Sequence, residues 1–256
     1  MIEFLKTLAR DAGRLCLEAS RRRITVEFKS AKDLVTEVDK QVEAFITSSV
    51  QRAYPGHDVF GEETGRSHLG SDFCWIIDPI DGTTSFFHKQ PFYSVSIAVQ
   101  NQGKTIAGAV YAPVLDELFW AEKGGGAHLN TISVRVSEAQ VLADSVLATG
   151  FACLRAGLRD NNLKYFNELL PRIRDIRRYG SAALDLCFVA CGRLDGFWEM
   201  NLNLYDVAAG ALIVTEAGGR VCDFQGGASF PGQGIVATNG GIETELLSYL
   251  DPSRLR

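Results

Sequence analysis

The sequence lacks any segment that would anchor the protein in a membrane or direct it out of the cell. Its 256 residues contain no apolar run of about 18 residues, the length that a membrane-spanning helix needs. The first residues, MIEFLK, lack the basic region, long apolar stretch and cleavage site of a signal peptide. We therefore expect a cytoplasmic protein with no membrane partner.

Cysteine pairs are absent as well. The chain has six scattered cysteines and no Cys-x-x-Cys spacing: Cys16, Cys74, Cys153, Cys187, Cys191 and Cys222. Cys-x-x-Cys pairs are typical of zinc sites, and disulfides are typical of secreted proteins. Reduced and mostly buried thiols are therefore expected.

Basic residues are not in excess. The chain has 26 lysine and arginine residues against 31 aspartate and glutamate residues, a formal charge of −5. Nucleic-acid-binding proteins usually carry a strongly basic surface that neutralises phosphates, so no nucleic-acid partner is expected. Apolar residues make up 46% of the chain and charged residues 22%, which is ordinary for a globular protein and excludes a disordered one.

The sequence also shows no internal repeat, low-complexity tract or obvious linker. Its length can bury a sizeable core, in one large domain or in two lobes that share an interface. We predict a single unit over residues 1–256. Its first lobe, 1–140, would combine helices with an antiparallel sheet, and its second lobe, 141–256, would alternate helices and strands.

Hydrophobic periodicity gives the expected elements. Helical spacing predicts one helix over residues 3–20 and a second that begins near Thr36, where Asp39 completes a capping-box pattern. Short apolar runs predict an antiparallel meander, with strands at 59–60, 73–77, 95–99, 106–111 and 117–121. The second half predicts strands at 145–149 and 196–199, and helices at 161–170, 182–191 and 206–217.

The strongest chemical signal is the segment 75–84, which reads WIIDPIDGTT. A buried strand is expected to end at Asp78, because Pro79 cannot donate the next ladder hydrogen bond. The turn that follows would bring Asp81 and the carbonyl of Ile80 close to Asp78. One short segment could thus supply two carboxylates and a carbonyl.

The same segment also offers an anion site. Gly82 would let the backbone come close to a ligand, and a helical turn that begins at Thr83 would direct N–H groups at a phosphate. A purely structural interpretation is also open at this point. In that interpretation Asp78 and Asp81 form an Asx turn, and Thr83 caps it.

Further acidic residues lie elsewhere along the chain. Glu62 and Glu63 occupy a turn after Gly61, and Asp206 lies at the start of a late helix. Taken singly, the glutamates are ordinary solvated loop acids and Asp206 an ordinary N-cap. If they converge with Asp78, their charges would repel unless cations neutralise them. Since every proposed ligand is an oxygen, Mg²⁺ is favoured over zinc or copper, and two such ions suit phosphoryl transfer.

At these positions the chain resembles the inositol monophosphatase family over nearly its whole length. The resemblance rests on segments in matching order and spacing: 33–39 (DLVTEVD), 61–64 (GEET), 75–84, 180–183 (GSAA) and 199–210 (EMNLNLYDVAAG). It implies an α+β fold, the αβαβα five-layer sandwich of the inositol monophosphatase and fructose-1,6-bisphosphatase type, which is commonly a homodimer. It also implies a magnesium-dependent and lithium-sensitive phosphatase acting on a small phosphate monoester.

The resemblance further implies roles for individual residues. The first Mg²⁺ would be held by Glu62, Asp78, the Ile80 carbonyl and Asp81, and the second by Asp78, Asp81 and Asp206. Glu62 would also reach a third Mg²⁺ through water. Thr83, assisted by Glu62 or Glu63, would orient and help to deprotonate the attacking water.

Substrate contacts are implied in the same way. The N–H groups of Gly82 and Thr83 would bind the phosphate, Ala182 and Glu199 would face ring hydroxyls, and Asp206 would serve the leaving group. Lys32 and Asp39 would belong to a mobile loop that closes the site.

Two departures from the family pattern concern the substrate side. Tyr205 replaces a tryptophan that many members carry, and Ala152 replaces a proline that often follows the preceding Gly-Phe pair. Alternative substrates therefore stay open: fructose 1,6-bisphosphate, histidinol phosphate or a 3′-phosphonucleotide. A bisphosphate would need an extra basic contact, for which the candidates are Arg155, Arg159, Arg177 and Arg178.

A third alternative is a non-catalytic role, binding a partner protein or RNA machinery.

Overall fold

The computed structural model describes residues 1–22, 26–30, 33–67 and 69–251. The α-helices in this part of the chain are α1 (Ile2–Ala19), α2 (Glu37–Ala53), α3 (Thr83–Phe87), α4 (Ala152–Arg155), α5 (Leu163–Leu169), α6 (Ala182–Ala190), α7 (Leu204–Glu216) and α8 (Glu243–Leu250). None of these helices is long and apolar enough to cross a bilayer.

Fifteen strands are found among the described residues. They are β1 (Val26–Ser30), β2 (Asp33–Thr36), β3 (Asp58–Gly61), β4 (Gly65–Arg66), β5 (Phe73–Asp81), β6 (Ser94–Asn101), β7 (Lys104–Ala112), β8 (Glu117–Glu122), β9 (Ala127–Leu129), β10 (Ile132–Val134), β11 (Val146–Thr149), β12 (Asp175–Arg177), β13 (Gly196–Glu199), β14 (Arg220–Cys222) and β15 (Ile235–Thr238).

The two N-terminal helices form where periodicity predicted them. The inward face of α1 carries Leu5, Leu8 and Cys16, all buried. At the start of α2 the Thr36 hydroxyl accepts hydrogen bonds from the N–H groups of Val38 and Asp39, while the Asp39 carboxylate accepts one from the Thr36 N–H. The predicted capping box is therefore confirmed. It satisfies N–H groups that have no partner inside a helix.

The first half of the chain builds one eight-stranded sheet, with the strand order β10-β9-β8-β7-β6-β5-β3-β4. The strands from β5 to β10 pair antiparallel in sequence, so the predicted meander is confirmed. Only β3 runs parallel to its neighbour β5. This pairing puts the end of β3, and the turn after it, beside the end of β5.

The central strand β5 is buried on both faces. Trp75 and Ile77 pack in the core that contains α1 and α2, whereas Cys74 and Ile76 pack in the core that contains α6 and α7. Side chains alternate along a strand with a period of two residues. A strand covered on both sides is therefore apolar throughout, as residues 73–77 are.

The predicted end of β5 at Asp78 is wrong. The strand continues to Asp81, with Asp78 opposite Ser96 and Asp81 opposite Ser94 on β6. Two residues of β5, Pro79 and Ile80, thus face a single residue of β6, which is the pattern of a β-bulge. Proline is tolerated at a bulge because the ladder hydrogen bond is already missing there.

The second half of the chain builds a five-stranded mixed sheet in the order β12-β11-β13-β15-β14. Helices α6 and α7 pack between the two sheets, in a core that includes Leu186 and Ile213. Helices α5 and α8 cover the outer face of the second sheet, around Trp198 and Leu246. With α1 and α2 on the outer face of the first sheet, the layers follow the order αβαβα. The expected five-layer α+β fold is confirmed.

Several bounds differ from the prediction. Helix α5 begins at Leu163, and a 3₁₀ turn (Leu170–Arg172) continues through Pro171. Helix α7 begins two residues earlier than expected, with Asn203 as its N-cap, so Asp206 occupies its first turn and is not the N-cap. Ten of the described strands and α-helices have no counterpart in the prediction: the strands β1, β2, β4, β9, β10, β12, β14 and β15 and the helices α4 and α8. The division into lobes at residue 140 stays a prediction.

Candidate active site

Three carboxylates meet where β5 ends. Asp78 and Asp81 come from β5 and Asp206 from the first turn of α7, and one oxygen of each lies within 4.8 Å of the others. Asp78 and Asp81 are buried, and Asp206 is partly exposed. In a regular strand, residues three apart point to opposite faces. The bulge adds one residue, so Asp78 and Asp81 can point to the same side.

Asp81 is held by the second half of the chain. Its Oδ2 accepts hydrogen bonds from the Ser181 hydroxyl at 2.6 Å and from the Ala183 N–H at 2.7 Å. Ser181 is the N-cap of α6. The helix N-terminus therefore offers N–H groups and a favourable dipole to this carboxylate. The contact fixes the end of β5 against α6.

Asp78 and Asp206 are each oriented by a nearby N–H group. The Oδ1 of Asp78 accepts a hydrogen bond from the Ile80 N–H at 3.0 Å. The Oδ2 of Asp206 accepts one from the Asn203 N–H at 2.6 Å. Each carboxylate thus keeps a second oxygen that this bond does not use.

Burial raises the pKa values of all three carboxyls, and nearby acidic charges add to the increase for Asp78 and Asp206. Loss of hydration is the main cause for Asp78, and the charges of Glu62, Asp81 and Asp206 add to it. Burial also raises the pKa of Asp81, although hydrogen bonds from Ser181 and Ala183 oppose the increase. For Asp206, burial comes first and the charge of Asp81 second. The cluster therefore disfavours its own negative charge.

The turn that follows β3 brings Glu62 to the cluster. The Glu62 N–H donates to the Ile77 carbonyl at 3.1 Å, as an extension of the β3–β5 pairing. Glu63 follows it, and its N–H donates to Glu43 on α2 at 2.8 Å. Both glutamates border the cavity described next.

Two adjoining cavities open over the carboxylates. Their volumes are about 440 and 460 Å³. The residues that border both are Glu62, Asp81, Arg155, Arg178, Gly180 and Asp206. Asp78, Ile80, Gly82 and Thr83 border one of them, and Glu63, Ala182 and Glu199 border the other. The predicted metal side and the predicted substrate side thus lie next to each other.

The helical turn expected from Thr83 is present as α3, and Gly82 precedes it with φ +92°. This left-handed conformation favours glycine. A Cβ atom at Gly82 would lie 3.0 Å from the Phe92 carbonyl oxygen and 3.1 Å from that of Gly180. Glycine is therefore required here for conformation and for space.

The Thr83 hydroxyl contacts two oxygens. It lies 3.1 Å from the Ile80 carbonyl oxygen and 3.3 Å from Oδ1 of Asp39. Asp39 is buried in the first turn of α2, and burial raises its pKa to about 6 although hydrogen bonds from Thr36 oppose this. Asp39 thus belongs to helix α2, and its part in a mobile loop stays a prediction. Lys32, the other residue of that loop, lies outside the described residues.

On the substrate side, Glu199 ends β13 and is buried. Its Oε1 accepts a hydrogen bond from the Ala152 N–H at 3.0 Å, and burial raises its pKa to about 7. Ala182, the first residue of α6, borders the same cavity. Tyr205 borders it too, with its ring edge-on to Phe60 at 5.8 Å.

Sequence reasoning missed several residues of this region. Ser181 lies in a segment that carried the resemblance, but its bond to Asp81 needs the tertiary structure. Glu43 had only a weak signal, its position four residues after Asp39 on one helix. Arg155 and Arg178 were named only as optional basic contacts, and both border the two cavities.

The ligand set fits magnesium. Asp78, Asp81 and Asp206 offer only oxygen donors, which hard divalent cations prefer. Burial disfavours the charged form of all three carboxyls, and a divalent cation beside them would offset this cost. The chemistry of the donors therefore agrees with the expected cofactor.

Comparison with known proteins gives a consistent result. Residues 1–253 match the inositol monophosphatase family. A relative from Pasteurella multocida named Nus factor SuhB is 42% identical over 256 residues, covering 98% of this chain and 96% of that protein. An inositol-1-monophosphatase from Mesorhizobium japonicum is 40% identical over 244 residues, covering 94% of this chain and 90% of that protein.

Solved structures agree with the sequence matches. The crystal structure of the extragenic suppressor protein suhB from Bartonella henselae superposes with a TM-score of 0.92 at 39% sequence identity. The superposition covers 98% of each chain. The resemblance in sequence therefore extends to the whole three-dimensional fold.

Proposed function

This chain belongs to the inositol monophosphatase family, and we propose that it is a magnesium-dependent phosphatase that hydrolyses the phosphate monoester of a small polyol. Myo-inositol monophosphate is the leading substrate. The observation that carries the proposal is the convergence of Asp78, Asp81 and Asp206 to within 4.8 Å beside an open cavity. The name of the Mesorhizobium relative, inositol-1-monophosphatase, supports the choice of substrate.

Two or three Mg²⁺ ions are proposed. Asp78, Asp81 and the Ile80 carbonyl would hold the first together with Glu62. Asp206 would complete the second, and Glu62 would reach the third through water. Bound there, Mg²⁺ supplies charge that neutralises the carboxylates and the phosphate and lowers the pKa of water.

The remaining steps belong to groups of the protein. The Thr83 hydroxyl would orient the attacking water, and Asp39, which lies 3.3 Å from it, would take up the proton that Thr83 passes on. Glu62 and Glu63, the helpers expected from the sequence, stay candidates for the same task. The N–H groups of Gly82 and Thr83 would bind the phosphate, as N–H groups at a helix start commonly do.

At the other end of the cavity, Glu199 would accept hydrogen bonds from substrate hydroxyls. Ala182 would contact the ring, and Asp206 would serve the leaving oxygen through water. Arg155 and Arg178 border both cavities. They support the alternative that the substrate carries a second anionic group, as fructose 1,6-bisphosphate does.

The test is phosphate release from a substrate panel with and without Mg²⁺. The panel contains inositol 1-phosphate, fructose 1,6-bisphosphate, histidinol phosphate and a 3′-phosphonucleotide. We expect the highest kcat/KM for inositol 1-phosphate and loss of turnover when EDTA removes the metal. Lithium at millimolar concentration should inhibit. A homodimer is proposed as well, and sedimentation equilibrium tests it separately.

A second role is proposed because the Pasteurella relative is named a Nus factor. In that case the chain would bind a partner protein through its outer surface, with or without turnover. The substrate panel tests the first role, and turnover would leave the second role open. No phosphate release from any substrate at any Mg²⁺ concentration would remove the first proposal and leave the second.

A further inference from the structure

Glu43 is a carboxylate with no exposed surface. It lies in the second turn of α2 and binds three donors of the turn that follows β3. Its Oε2 accepts the Glu63 N–H at 2.8 Å, and its Oε1 accepts the Thr64 N–H at 2.8 Å and the Thr64 hydroxyl at 2.6 Å. Glutamate is almost never fully buried unless it has partners, and here N–H and O–H donors replace water.

The turn that Glu43 binds is the one that carries Glu62. On one side, the Glu62 N–H is fixed to the Ile77 carbonyl of β5 at 3.1 Å. On the other side, the next two residues, Glu63 and Thr64, are fixed to Glu43. The backbone of Glu62 is therefore held from both directions. Its side chain lies close enough to Asp78 for its charge to raise the pKa of that carboxyl.

The approach of Glu43 depends on a glycine. A Cβ atom at Gly61 would overlap with the carboxyl carbon and Oε1 of Glu43, so the carboxylate would have to move away. Gly61 ends β3, directly before Glu62. The glycine thus leaves the space in which the carboxylate reaches the turn.

Helix α2 presents a second buried carboxylate one turn earlier. Asp39 and Glu43 are four residues apart and therefore lie on the same face of the helix. Asp39 contacts the Thr83 hydroxyl, and Glu43 binds the turn of Glu62. One rigid helix is thus connected to two separate parts of the site.

We propose that Glu43 is a positioning residue for the metal site: it touches neither cation nor substrate, and it fixes the Glu62–Thr64 turn so that the Glu62 carboxylate is directed at Asp78 and Asp81. The proposal rests on the proposed function, because the cation at these carboxylates belongs to it. Substitution of a residue that orients a metal ligand by hydrogen bonding typically weakens metal affinity about 10- to 100-fold.

The test is Glu43→Gln, which keeps the volume and one acceptor oxygen but places an NH₂ group opposite an N–H donor. Titration calorimetry with MgCl₂ on the metal-free protein measures the dissociation constant. We expect it to rise about tenfold or more. The Mg²⁺ concentration for half-maximal turnover should rise by the same factor, and saturating Mg²⁺ should restore kcat to within about threefold.

The matched control is Asp223→Asn. Asp223 is also a buried carboxylate that accepts N–H groups of a single turn, those of Gln225, Gly227 and Ser229. It does not border either active-site cavity. Its substitution should lower the melting temperature and leave the Mg²⁺ dissociation constant unchanged. A role of Glu43 in stability alone would give the same pattern for Glu43→Gln and would overturn the proposal.

Thr64→Val removes one of the three donors and should give a smaller rise in the same direction. If Glu43→Gln yields no folded protein, Thr64→Val decides, and a dissociation constant equal to the wild-type value refutes the proposal. If the wild-type protein neither binds Mg²⁺ nor releases phosphate, the proposed function itself is refuted. If the wild type does both and Glu43→Gln has the same Mg²⁺ dissociation constant, only the positioning role is refuted.

Discussion

Ionisation of Glu199 should make the metal-free protein less stable as the pH rises. Burial raises the pKa of this carboxyl from its ordinary value of 4.5 to about 7, although a hydrogen bond from the Ala152 N–H opposes the increase. The folded state therefore binds the proton more tightly than the unfolded state. The resulting stability is fully present below pH 4.5 and is lost as the pH rises through 7.

The size of the effect follows from the two pKa values. One pKa unit corresponds to about 1.4 kcal/mol, so the full loss is about 3 kcal/mol, of which about 2 kcal/mol falls between pH 5 and pH 8. Glu199→Gln removes the ionisation and keeps an oxygen that can accept the Ala152 N–H. The variant should therefore gain about 2 kcal/mol relative to the wild type over this range.

The assay is urea unfolding at pH 5 and pH 8 in EDTA, for the wild type and Glu199→Gln side by side. Asp223→Asn is the control. Burial alone would raise the pKa of Asp223, but three N–H donors of its turn lower it, so this group is ionised throughout. Its difference from the wild type should not change with pH. Parallel stability curves for the wild type and Glu199→Gln would refute the reasoning.

Two further predictions concern Asp81 and Thr83 in the site, and a third concerns the contact of His57 with Trp75. Asp81→Asn should lower kcat/KM at least about a thousandfold, about 4 kcal/mol, because it removes a charge that two cations would share. Its circular dichroism spectrum should not change, and near-normal turnover would reject Asp81 as a metal ligand. Thr83→Val should lower kcat about 10²-fold or more with little change in KM, whereas Thr83→Ser should keep most of the wild-type kcat because it keeps the hydroxyl. Equal losses of kcat in both variants would contradict the role of the hydroxyl. His57 accepts a hydrogen bond from the Trp75 indole N–H at 3.1 Å, and burial lowers its pKa below 6.5. An NMR titration of His57 should therefore give a midpoint below 6.5, and the stability that depends on neutral His57 should be lost as the pH falls. A midpoint above 6.5 would contradict this arrangement.

Elements with a clear period were predictable from sequence. Helix α1 lies within one residue of its expected bounds, and the capping box of Thr36 and Asp39 marks the start of α2. Such signals are local, because they depend on residues three or four apart. The meander from β5 to β8 was recognisable for the same reason, since short turns connect its strands.

The acidic residues of the cluster were predictable from sequence, but their geometry was not. Acidic residues that offer only oxygen ligands predicted a magnesium site, and Gly82 predicted close approach of the backbone to a ligand. The contact of Asp81 with Ser181 and Ala183 joins residues about one hundred positions apart, and no periodicity reports such a distance. Glu43 escaped notice because a glutamate four residues after another acid usually belongs to an exposed helix face.

The end of β5 was missed for a different reason. Pro79 predicts the end of a strand, because proline cannot donate a ladder hydrogen bond. The register with β6 absorbs it as a bulge between Asp78 and Asp81. Proline alone does not distinguish a strand that stops from a strand that continues past an irregular step.

The bulge in β5 makes the number of residues between Asp78 and Asp81 as important for the site as their identity. Deleting either Pro79 or Ile80 would return β5 to a regular pleat and give it the same number of residues as the facing part of β6. Asp78 and Asp81 would then lie two residues apart and still share a face. The bulge would be lost, however, and with it the local bend that aims the backbone carbonyl before Asp81. Insertions and deletions should therefore be far less tolerated here than substitutions that keep the spacing.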